Sequence, residues 1–370
     1  GNKSEIRSGG NTSSNNAMFI FSAKDTGGVE NKGVGINHFE CSIDNSNYVI
    51  CTSPLGTNSL TEGLHNLRIF SNDNVGNMGS HPASINWTVD TTPPATSINS
   101  AIDGNNRTLD NKANSSSTSI TFTMIGNDNG GVGVNHIECS LDGGSFAECK
   151  SPIEYSSSNI SDGAHIFEAR AVDNVRNKDL SPSTFTWTVD TVPPDANIDS
   201  ASDGKGISID TGGNTSSNSM TFNFSGIDTG GKEGNGVGIN HFECSLDNSN
   251  FTLCNSPVHT VKLTDGPHIL DIRAQDNVGN ISPSPSSFPW TVDTKPPTTN
   301  IDSATDGTNS TVKNGGNTKS TSITIPFSGN DTGVGVGKFE CSLDNSNFTA
   351  CTSPVQSVNL TDGAHVFEIK

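Results

Sequence analysis

Eight cysteines carry the clearest chemistry in this chain, because they recur in pairs at one fixed spacing. Nine residues separate the two members of each pair, and each intervening run is rich in turn residues, as in SLDNSNFTA. Such a run predicts a β-hairpin whose two strands hold the sulfurs near each other. We therefore expect four local disulfides: Cys41/Cys51, Cys139/Cys149, Cys244/Cys254 and Cys341/Cys351.

Zinc binding is the alternative chemistry for these cysteines. A histidine stands three residues before the first cysteine in three cases, at His38, His136 and His241, but Lys338 holds that position in the fourth. The sequence also lacks the CxxC pairs typical of structural zinc sites. Disulfides are therefore favoured, and they imply an oxidising, extracellular compartment.

Aspartates recur at three positions, and carboxylate oxygens are the ligands that hard cations prefer. The first position is the Asp of VDT, the second opens a DTG or DNG run, and the third opens DNVGN or DNVRN. Their alternative role is to cap turns through hydrogen bonds to nearby backbone amides. The three sets are Asp90, Asp190 and Asp293; Asp25, Asp128, Asp228 and Asp331; and Asp73, Asp173 and Asp276.

The elements that must position these residues are short β-strands. Apolar residues alternate at period two, as in Ile120/Phe122/Met124 and Phe185/Trp187/Val189, and no segment keeps a helical period. Clusters of Gly, Asn, Asp and Ser separate the strands. About seven short strands in about 100 residues predict an all-β chain of tandem Ig-like, Greek-key β-sandwich domains, arranged as an elongated rod.

Two repeated phrases divide the chain and argue against the disorder that its polar composition would suggest. The phrase typified by FECSLDNSNFTACTSP occurs four times, with first cysteines 98, 105 and 97 residues apart. The phrase WTVDTxPP occurs three times, and its proline pair ends a strand ladder and stiffens the linker. The predicted repeats are residues 1–92, 93–192, 193–295 and 296–370, of which the first lacks its first strand and the fourth its last.

The sandwich geometry predicts which aspartates meet. The chain enters such a domain at the end that carries two interstrand loops, so the linker Asp of one repeat should face the two loop Asp residues of the next. Three carboxylates with Asn and backbone oxygens suit Ca²⁺ better than a transition metal. The expected groups are Asp90/Asp128/Asp173, Asp190/Asp228/Asp276 and the incomplete pair Asp293/Asp331.

Two further sets of recurring residues are expected to be structural. Asp103, Asp203 and Asp306, in the SAxDG phrase, fall at the far end of each domain and are predicted to be turn residues. Four histidines open a strand in EGLH or DGxH, where four equivalent copies indicate a structural corner. No sequence motif for catalysis is present, so we do not expect an enzyme. The histidines are His65, His165, His268 and His365.

The phrases DGAHIFEARAVDNVRN and WTVDTVPP resemble the bacterial and archaeal Ig-like tandem repeats of giant adhesins and other cell-surface proteins. The resemblance covers the whole chain. It implies calcium at the junctions between repeats and an extracellular, cell-surface location. The partners that we expect are neighbouring repeats of the same longer chain or like subunits, with a surface glycan or protein as the ligand of an adhesion module.

The charge balance narrows the partners further. Lys and Arg number 20 against 39 Asp and Glu, which gives a net charge of -19. Such a surface repels the backbone of nucleic acids and anionic membranes and attracts cations. The sequence has no apolar run of 18 residues, so no membrane insertion is expected in this segment, and any signal or anchor would lie outside it.

Asn-x-Ser/Thr sequons are numerous, and on an extracellular β-domain they are candidates for N-glycosylation. The asparagines are Asn2, Asn11, Asn86, Asn106, Asn114, Asn159, Asn214, Asn223, Asn250, Asn280, Asn309, Asn330, Asn347 and Asn359.

The sequence thus favours a non-enzymatic extracellular rod, either the stalk of a surface adhesin or the body of a surface filament. Disulfides, proline-pair linkers and calcium between the domains would stiffen it. Two alternatives stay open. One is an adhesion module that binds a glycan or a protein, and the other is a filament subunit that assembles by strand complementation at its open end domains.

Overall fold

The computed structural model describes residues 5–27, 33–230 and 236–370. They form two compact units, Gly1–Thr191 with Gly230–Val237 and Val192–Thr229 with Gly238–Lys370. The described residues contain β-strands and turns but no helix, and none of their elements could cross a membrane as a helix. Each unit holds two of the predicted repeats, whose boundaries stay a prediction. The predicted all-β, Ig-like sandwich class is confirmed.

The first repeat packs a large sheet, ordered β1-β7-β6-β3-β4, against the pair β2-β5. β1 runs parallel to β7, whereas the other strand pairs are antiparallel. Phe19 of the small sheet and Trp87 of the large sheet meet in the core, with ring centroids 4.9 Å apart. The strands are β1 (Gly10–Thr12), β2 (Ala17–Phe19), β3 (Ile36–Ile43), β4 (Val49–Cys51), β5 (Leu55–Thr57), β6 (Gly63–Asp73) and β7 (Ala83–Val89).

The second repeat has a fuller small sheet, β13-β10-β8, which packs against the large sheet β12-β11-β14-β15-β9. The ring of Phe122 stacks on Phe167 at 4.0 Å and lies 5.5 Å from Trp187, so the two sheets share one aromatic core. Its strands are β8 (Ala95–Asp103), β9 (Ala113–Ser115), β10 (Ile120–Asn127), β11 (Val134–Leu141), β12 (Ala147–Cys149), β13 (Ile153–Tyr155), β14 (Gly163–Asp173) and β15 (Ser183–Val189).

The third repeat has the same plan, with sheets β16-β18-β21 and β17-β23-β22-β19-β20. Its core contains Phe222, which lies 5.2 Å from Trp290. Its strands are β16 (Asp195–Asp203), β17 (Asn214–Thr215), β18 (Met220–Ile227), β19 (Ile239–Leu246), β20 (Thr252–Cys254), β21 (Val258–Thr260), β22 (Gly266–Asp276) and β23 (Ser286–Val292).

The fourth repeat is built from shorter strands in three sheets, β24-β28, β26-β25-β27-β31 and β30-β29-β32. Phe327 and Phe339 pack edge to face at 5.1 Å. The strands are β24 (Thr298–Ile301), β25 (Ala304–Asp306), β26 (Thr311–Val312), β27 (Ile323–Ile325), β28 (Phe327–Asn330), β29 (Phe339–Leu343), β30 (Thr349–Cys351), β31 (Val355–Ser357) and β32 (Phe367–Ile369).

The period-two pattern of the sequence explains why these cores form. In β10 the residues Ile120, Phe122 and Met124 are at most 2% exposed, whereas Thr121 and Thr123 between them are only half-buried. Burying a large apolar side chain of this kind contributes about 1.5–3 kcal/mol. The alternation therefore fixes which face of each strand meets the opposite sheet.

Candidate metal centre and repeat junction

The structure contains the four expected disulfides, Cys41–Cys51, Cys139–Cys149, Cys244–Cys254 and Cys341–Cys351. In each repeat the bond joins two paired strands of one sheet, as between β3 and β4. The turn between them places Asp44 and Asn45 at positive φ, which short polar side chains tolerate better than branched ones. All eight cysteines form disulfides, so each hairpin is cross-linked within its own repeat.

Asp90 lies in the linker between the first and second repeats, directly after β7. Its side chain is buried, and its Oδ2 accepts a hydrogen bond from the backbone N–H of Val132 at 2.8 Å. Its own carbonyl oxygen accepts a second hydrogen bond from Nδ2 of Asn177 at 2.9 Å. One linker residue is therefore bonded to two different loops of the following repeat.

Those two loops supply the other aspartates. Asp128 follows β10, and its Oδ2 accepts a hydrogen bond from the N–H of Gly133 at 2.7 Å. Asp173 ends β14 and is 1% exposed, and its Oδ1 accepts hydrogen bonds from the N–H groups of Val175 and Asn177, both at 2.8 Å. Each carboxylate is thus held by the backbone of its own loop.

The three carboxylates converge as the repeat geometry predicts. One oxygen from each of Asp90, Asp128 and Asp173 lies within 4.8 Å of the other two. Two oxygens on opposite sides of a Ca²⁺ ion lie about 4.6–5.2 Å apart, because each Ca–O distance is about 2.3–2.6 Å. The spacing of these oxygens therefore fits a single hard cation.

Two further features bear on that fit. Oδ1 of Asp128 is buried and has no hydrogen-bond partner among the described residues. A Cβ atom on Gly131 would lie 2.5 Å from both carboxylate oxygens of Asp128 and 2.6 Å from Oδ2 of Asp90, so only glycine leaves this space open. The loop thus keeps an oxygen-lined space that a larger residue would fill.

Burial raises the pKa of Asp128 above its ordinary value, and the neighbouring charges of Asp90 and Asp173 raise it further. The hydrogen bond from Gly133 opposes them but does not cancel them. Three close carboxylates disfavour one another's ionised forms unless a cation neutralises them. The electrostatics of the site therefore match those of a cation-binding centre.

The second expected group is divided between the two units and is described within each. In the first unit, Oδ2 of Asp190 accepts a hydrogen bond from the N–H of Val237 at 2.9 Å. In the second unit, Asp228 accepts one from Gly238 at 2.8 Å, and the buried Asp276 accepts one from the N–H of Asn280 at 2.8 Å. These bonds reproduce the local geometry of the first group.

The incomplete pair belongs to the second unit. Oδ2 of Asp293 accepts a hydrogen bond from the N–H of Val334 at 3.0 Å, as Asp90 does from Val132. Oδ2 of Asp331 accepts one from Gly335 at 2.9 Å. The linker-to-loop bond therefore recurs at the third junction.

The aspartates of the SAxDG phrase lie in turns. Oδ1 of Asp103 accepts hydrogen bonds from the N–H groups of Asn105 and Arg107, and Oδ2 accepts one from the hydroxyl of Ser115. Hydrogen bonds from the hydroxyls of Thr308 and Thr318 hold the pKa of Asp306 far below its ordinary value. These carboxylates are fully engaged in capping their own turns.

Sequence reasoning missed a second set of hydrogen bonds that holds the linkers, which we call the linker lock. Oδ1 of Asp162, in the DGxH loop, accepts hydrogen bonds from both the N–H and the hydroxyl of Thr191, at 2.8 and 3.0 Å. Thr191 follows the linker aspartate, and the same pairing joins Glu62 to Thr91 and Asp265 to Thr294. The signal for this pairing in the sequence was the acidic residue that recurs before Gly in EG or DG, together with the Thr of VDT.

Three of the recurring histidines, His65, His165 and His268, are buried, and His365 is half-buried. In the third repeat, Nδ1 of His268 lies 2.8 Å from Oδ2 of Asp247, and Nε2 lies 2.8 Å from the carbonyl oxygen of Thr264. The ring also stacks on Trp290 at 5.5 Å. Two acceptors facing one imidazole favour its doubly protonated form, so this histidine anchors structure.

The sequons differ in how open they are. Asn2 lies outside the described residues, and Asn114 and Asn280 are half-buried. The Nδ2 of Asn280 also donates a hydrogen bond to Asp276 at 2.7 Å, which a glycan on that nitrogen would disrupt. The others are exposed: Asn11, Asn86, Asn106, Asn159, Asn214, Asn223, Asn250, Asn309, Asn330, Asn347 and Asn359.

No protein-family model and no curated protein sequence matches the chain. Among solved structures, it is similar to a tetra-tandem repeat from the extending region of a large adhesion protein, with 15% identity over 90% of this chain and 84% of that one and a TM-score of 0.25. It is also similar to a Ca²⁺-stabilized, ice-binding adhesin of an Antarctic bacterium, with 12% identity over 97% and 94% of the two chains and a TM-score of 0.33. Fibronectin(III)-like modules of Clostridium thermocellum CbhA match 54% of this chain and 94% of theirs, at 14% identity and a TM-score of 0.28.

The chain is a tandem array of Ig-like repeats. The similar structures are described as a tandem repeat, an adhesin and fibronectin(III)-like modules. At these identities and TM-scores, they say nothing about what the chain binds.

Proposed function

We propose that this chain is a non-enzymatic, extracellular spacer of a cell-surface protein, in which Ca²⁺ fixes the angle between successive repeats. The observation that carries the proposal is the convergence of Asp90, Asp128 and Asp173, since one comes from a linker and two come from loops of the next repeat. A cation held there bonds to both sides of a junction. Its role is therefore mechanical.

The hydrogen bonds at the first junction support this role. Val132 and Asn177 of the second repeat both donate to Asp90, so the linker is already oriented before any ion binds. The proline pair that follows has fixed φ angles, which further limits rotation. Ion binding then costs little ordering of the chain, because most of that order already exists.

Calcium is the ion that the donor set favours. The candidate ligands are carboxylate oxygens, in a site without histidine or cysteine, and hard cations of flexible coordination select such donors. The ion would also relieve the repulsion that raises the pKa of Asp128. Asp293 and Asp331 are proposed as ligands of the same kind at the third junction.

The extracellular location rests on the disulfides. Four bonds, one in each repeat, are typical of an oxidising compartment such as the cell surface. Exposed sequons are proposed as glycan acceptors on the same grounds.

Calorimetry of the whole chain, with Ca²⁺ and with a chelator, tests the proposal. We expect Ca²⁺ to raise the unfolding temperature, and X-ray scattering to show a smaller spread of chain dimensions than in chelator. Asp128→Asn should remove the part of the calcium effect that belongs to the first junction. The matched control is Asp110→Asn, which removes an exposed carboxylate of the same repeat. Identical melting and scattering with and without Ca²⁺ would refute the calcium-stiffened spacer.

A further inference from the structure

The outer face of the sheet that contains the disulfide carries a recurring trio of side chains: a carboxylate, an aromatic ring and a cation. In the second repeat, Nε of Arg170 donates to Oε2 of Glu138 at 2.8 Å, and its guanidinium lies 4.0 Å from the ring centre of Phe146. Lys178 completes the neutralisation of Glu138, at 2.9 Å. A cation is therefore sandwiched between a carboxylate and an aromatic face.

The third and fourth repeats hold a cation in the same way. In the third, Arg273 bonds to Glu243 at 2.7 Å and lies 4.1 Å over Phe251. In the fourth, Nζ of Lys370 lies 3.1 Å from Glu340 and 4.3 Å from the ring centre of Phe348. Either arginine or lysine can fill this position, so the carboxylate and the ring select for positive charge rather than for one residue type.

The first repeat keeps the carboxylate and the ring but lacks the cation. Glu40 pairs across the strands with Phe70, where Glu138 pairs with Arg170. Tyr48 takes the place of Phe146, and its ring lies 5.2 Å from that of Phe70. Within the described residues, Glu40 contacts no lysine or arginine. Its Oε1 lies 3.3 Å from both the His38 ring and the Asn72 amide.

This face is open to solvent. The side chain of Glu40 is 32% exposed, Tyr48 is 39% exposed, and the neighbouring Ile50 is 72% exposed. Arg68 lies two residue pairs further along the same strands, opposite Ser42. It is exposed and makes no ion pair with Glu40 in the described chain. Two aromatic rings and an apolar side chain therefore border a carboxylate whose only basic contact among the described residues is the His38 ring.

We propose that this face of the first repeat, formed by Glu40, Tyr48, Phe70 and Ile50, binds an arginine or lysine side chain of a basic peptide segment. The other repeats show the chemistry of the occupant, because each holds its own cation between the equivalent carboxylate and ring. Here the cation comes from another molecule. Its charge faces Glu40, its stem lies on Tyr48 and Phe70, and flanking apolar residues contact Ile50. The inference does not depend on calcium or on the spacer role.

NMR titration of the ¹⁵N-labelled chain with the peptide acetyl-Gly-Arg-Gly-amide tests this site. We expect saturable shifts of the amide signals of Glu40, Tyr48 and Phe70. The same peptide with citrulline, which has the shape of arginine without its charge, should shift them at least threefold less at equal concentration. Equal shifts with arginine and citrulline, or none that saturate, would overturn the proposal.

Matched variants sharpen the test. Phe70→Arg supplies an internal cation and should abolish the shifts, whereas Glu40→Gln should weaken binding at least twofold. Arg273→Phe removes the internal cation of the third repeat and should create a second set of saturable shifts at Glu243 and Phe251. If a neutral trisaccharide shifts Tyr48 and Phe70 while the arginine peptide does not, the face binds glycans and the assignment to a basic peptide is wrong.

Discussion

The carboxylate of Asp90 accepts a hydrogen bond from the backbone N–H of Val132, 2.8 Å away, and so joins the end of β7 to a loop of the next repeat. Asp293 and Val334 repeat this relationship in the second unit, at 3.0 Å. Because the acceptor is an aspartate, the same side chain can bond to the loop through one oxygen and contribute the other to a cation. Linker orientation and the proposed cation binding therefore depend on one residue.

Gly131→Ala should abolish the calcium effect at the first junction. The added Cβ would lie 2.5 Å from the oxygens of Asp128, so the carboxylate would have to move out of the site. We expect calorimetry to show a smaller rise in unfolding temperature on adding Ca²⁺. Gly56→Ala is the control, because a Cβ there meets open space. Unchanged calcium stabilisation in Gly131→Ala would place the ion elsewhere.

Calcium affinity at this junction should fall as the pH is lowered. Burial and the charges of Asp90 and Asp173 raise the pKa of Asp128, so a proton competes with the ion at a higher pH than for an ordinary carboxylate. The stability of the metal-free protein has the opposite pH dependence. Its folded state holds this proton more tightly than the unfolded state, so the free energy of unfolding falls as the pH rises through the raised pKa. Isothermal titration with Ca²⁺ from pH 5 to pH 7 measures the first effect. An affinity independent of pH would contradict it.

The histidine corners should make the fold less stable at alkaline pH. Burial acts to lower the pKa of His268, but the Thr264 carbonyl and the Asp247 carboxylate outweigh it and raise the pKa above 6.5. His65 and His365 are raised in the same way. A raised histidine pKa gives stability that is complete below about pH 6.5 and is lost as the pH rises through the folded-state value.

Urea unfolding of the whole chain at pH 5.5 and pH 8.5 measures this loss. We expect a lower free energy of unfolding at pH 8.5, and a smaller difference between the two pH values in His268→Asn. Asp247→Asn should also reduce the difference, because the imidazolium loses its carboxylate partner. An identical pH difference in the wild type and both variants would exclude the corner as its source.

Loss of the linker lock should be visible as faster amide exchange. Asp162 accepts hydrogen bonds from the N–H and the hydroxyl of Thr191, and one hydrogen bond to a charged group contributes about 1.5–3 kcal/mol, less at an exposed site. Asp162→Ala should therefore speed hydrogen exchange at Thr191 about tenfold. Asp110→Ala serves as the control. Unchanged protection at Thr191 would show that the lock does not restrain the linker.

The hairpin disulfides should add measurable stability one repeat at a time. A bond that closes a loop of about ten residues contributes about 2–3 kcal/mol in the chain-entropy view. Cys139→Ala with Cys149→Ala should lower the free energy of unfolding of the second repeat by that amount, while a reductant should affect all four. Denaturant titration followed by hydrogen exchange distinguishes the repeats. A loss below about 0.5 kcal/mol would mean that the unfolded hairpin is already compact.

Much of the core could be read from the sequence, because period-two alternation maps directly onto the two faces of a strand. Ile120, Phe122 and Met124 were expected inside and are nearly fully buried. Leu109 and Ile160 were not expected there. They lie outside the strands and are 5% and 2% exposed, and no periodicity marks a single buried residue in a connecting segment.

The aspartate group at the first junction could be predicted because linker and loop positions are set by sandwich topology. The hydrogen bonds from Asn177 to Asp90 and from Thr191 to Asp162 could not, because each depends on side-chain direction in an irregular loop. The trio of Glu138, Phe146 and Arg170 was also missed. Its members come from three separated parts of the chain, and only strand register brings them together.

Each disulfide bridges cysteines only ten residues apart in the sequence, although the repeats recur about every hundred residues. If tension unfolded a repeat, the disulfide would prevent extension of only the short loop that it closes. About nine-tenths of the contour length would still extend, at about 3.5 Å per residue. The hairpin would remain as a folded remnant from which the sandwich could wind back. Such a chain would extend far beyond its folded length under tension before any disulfide had to break.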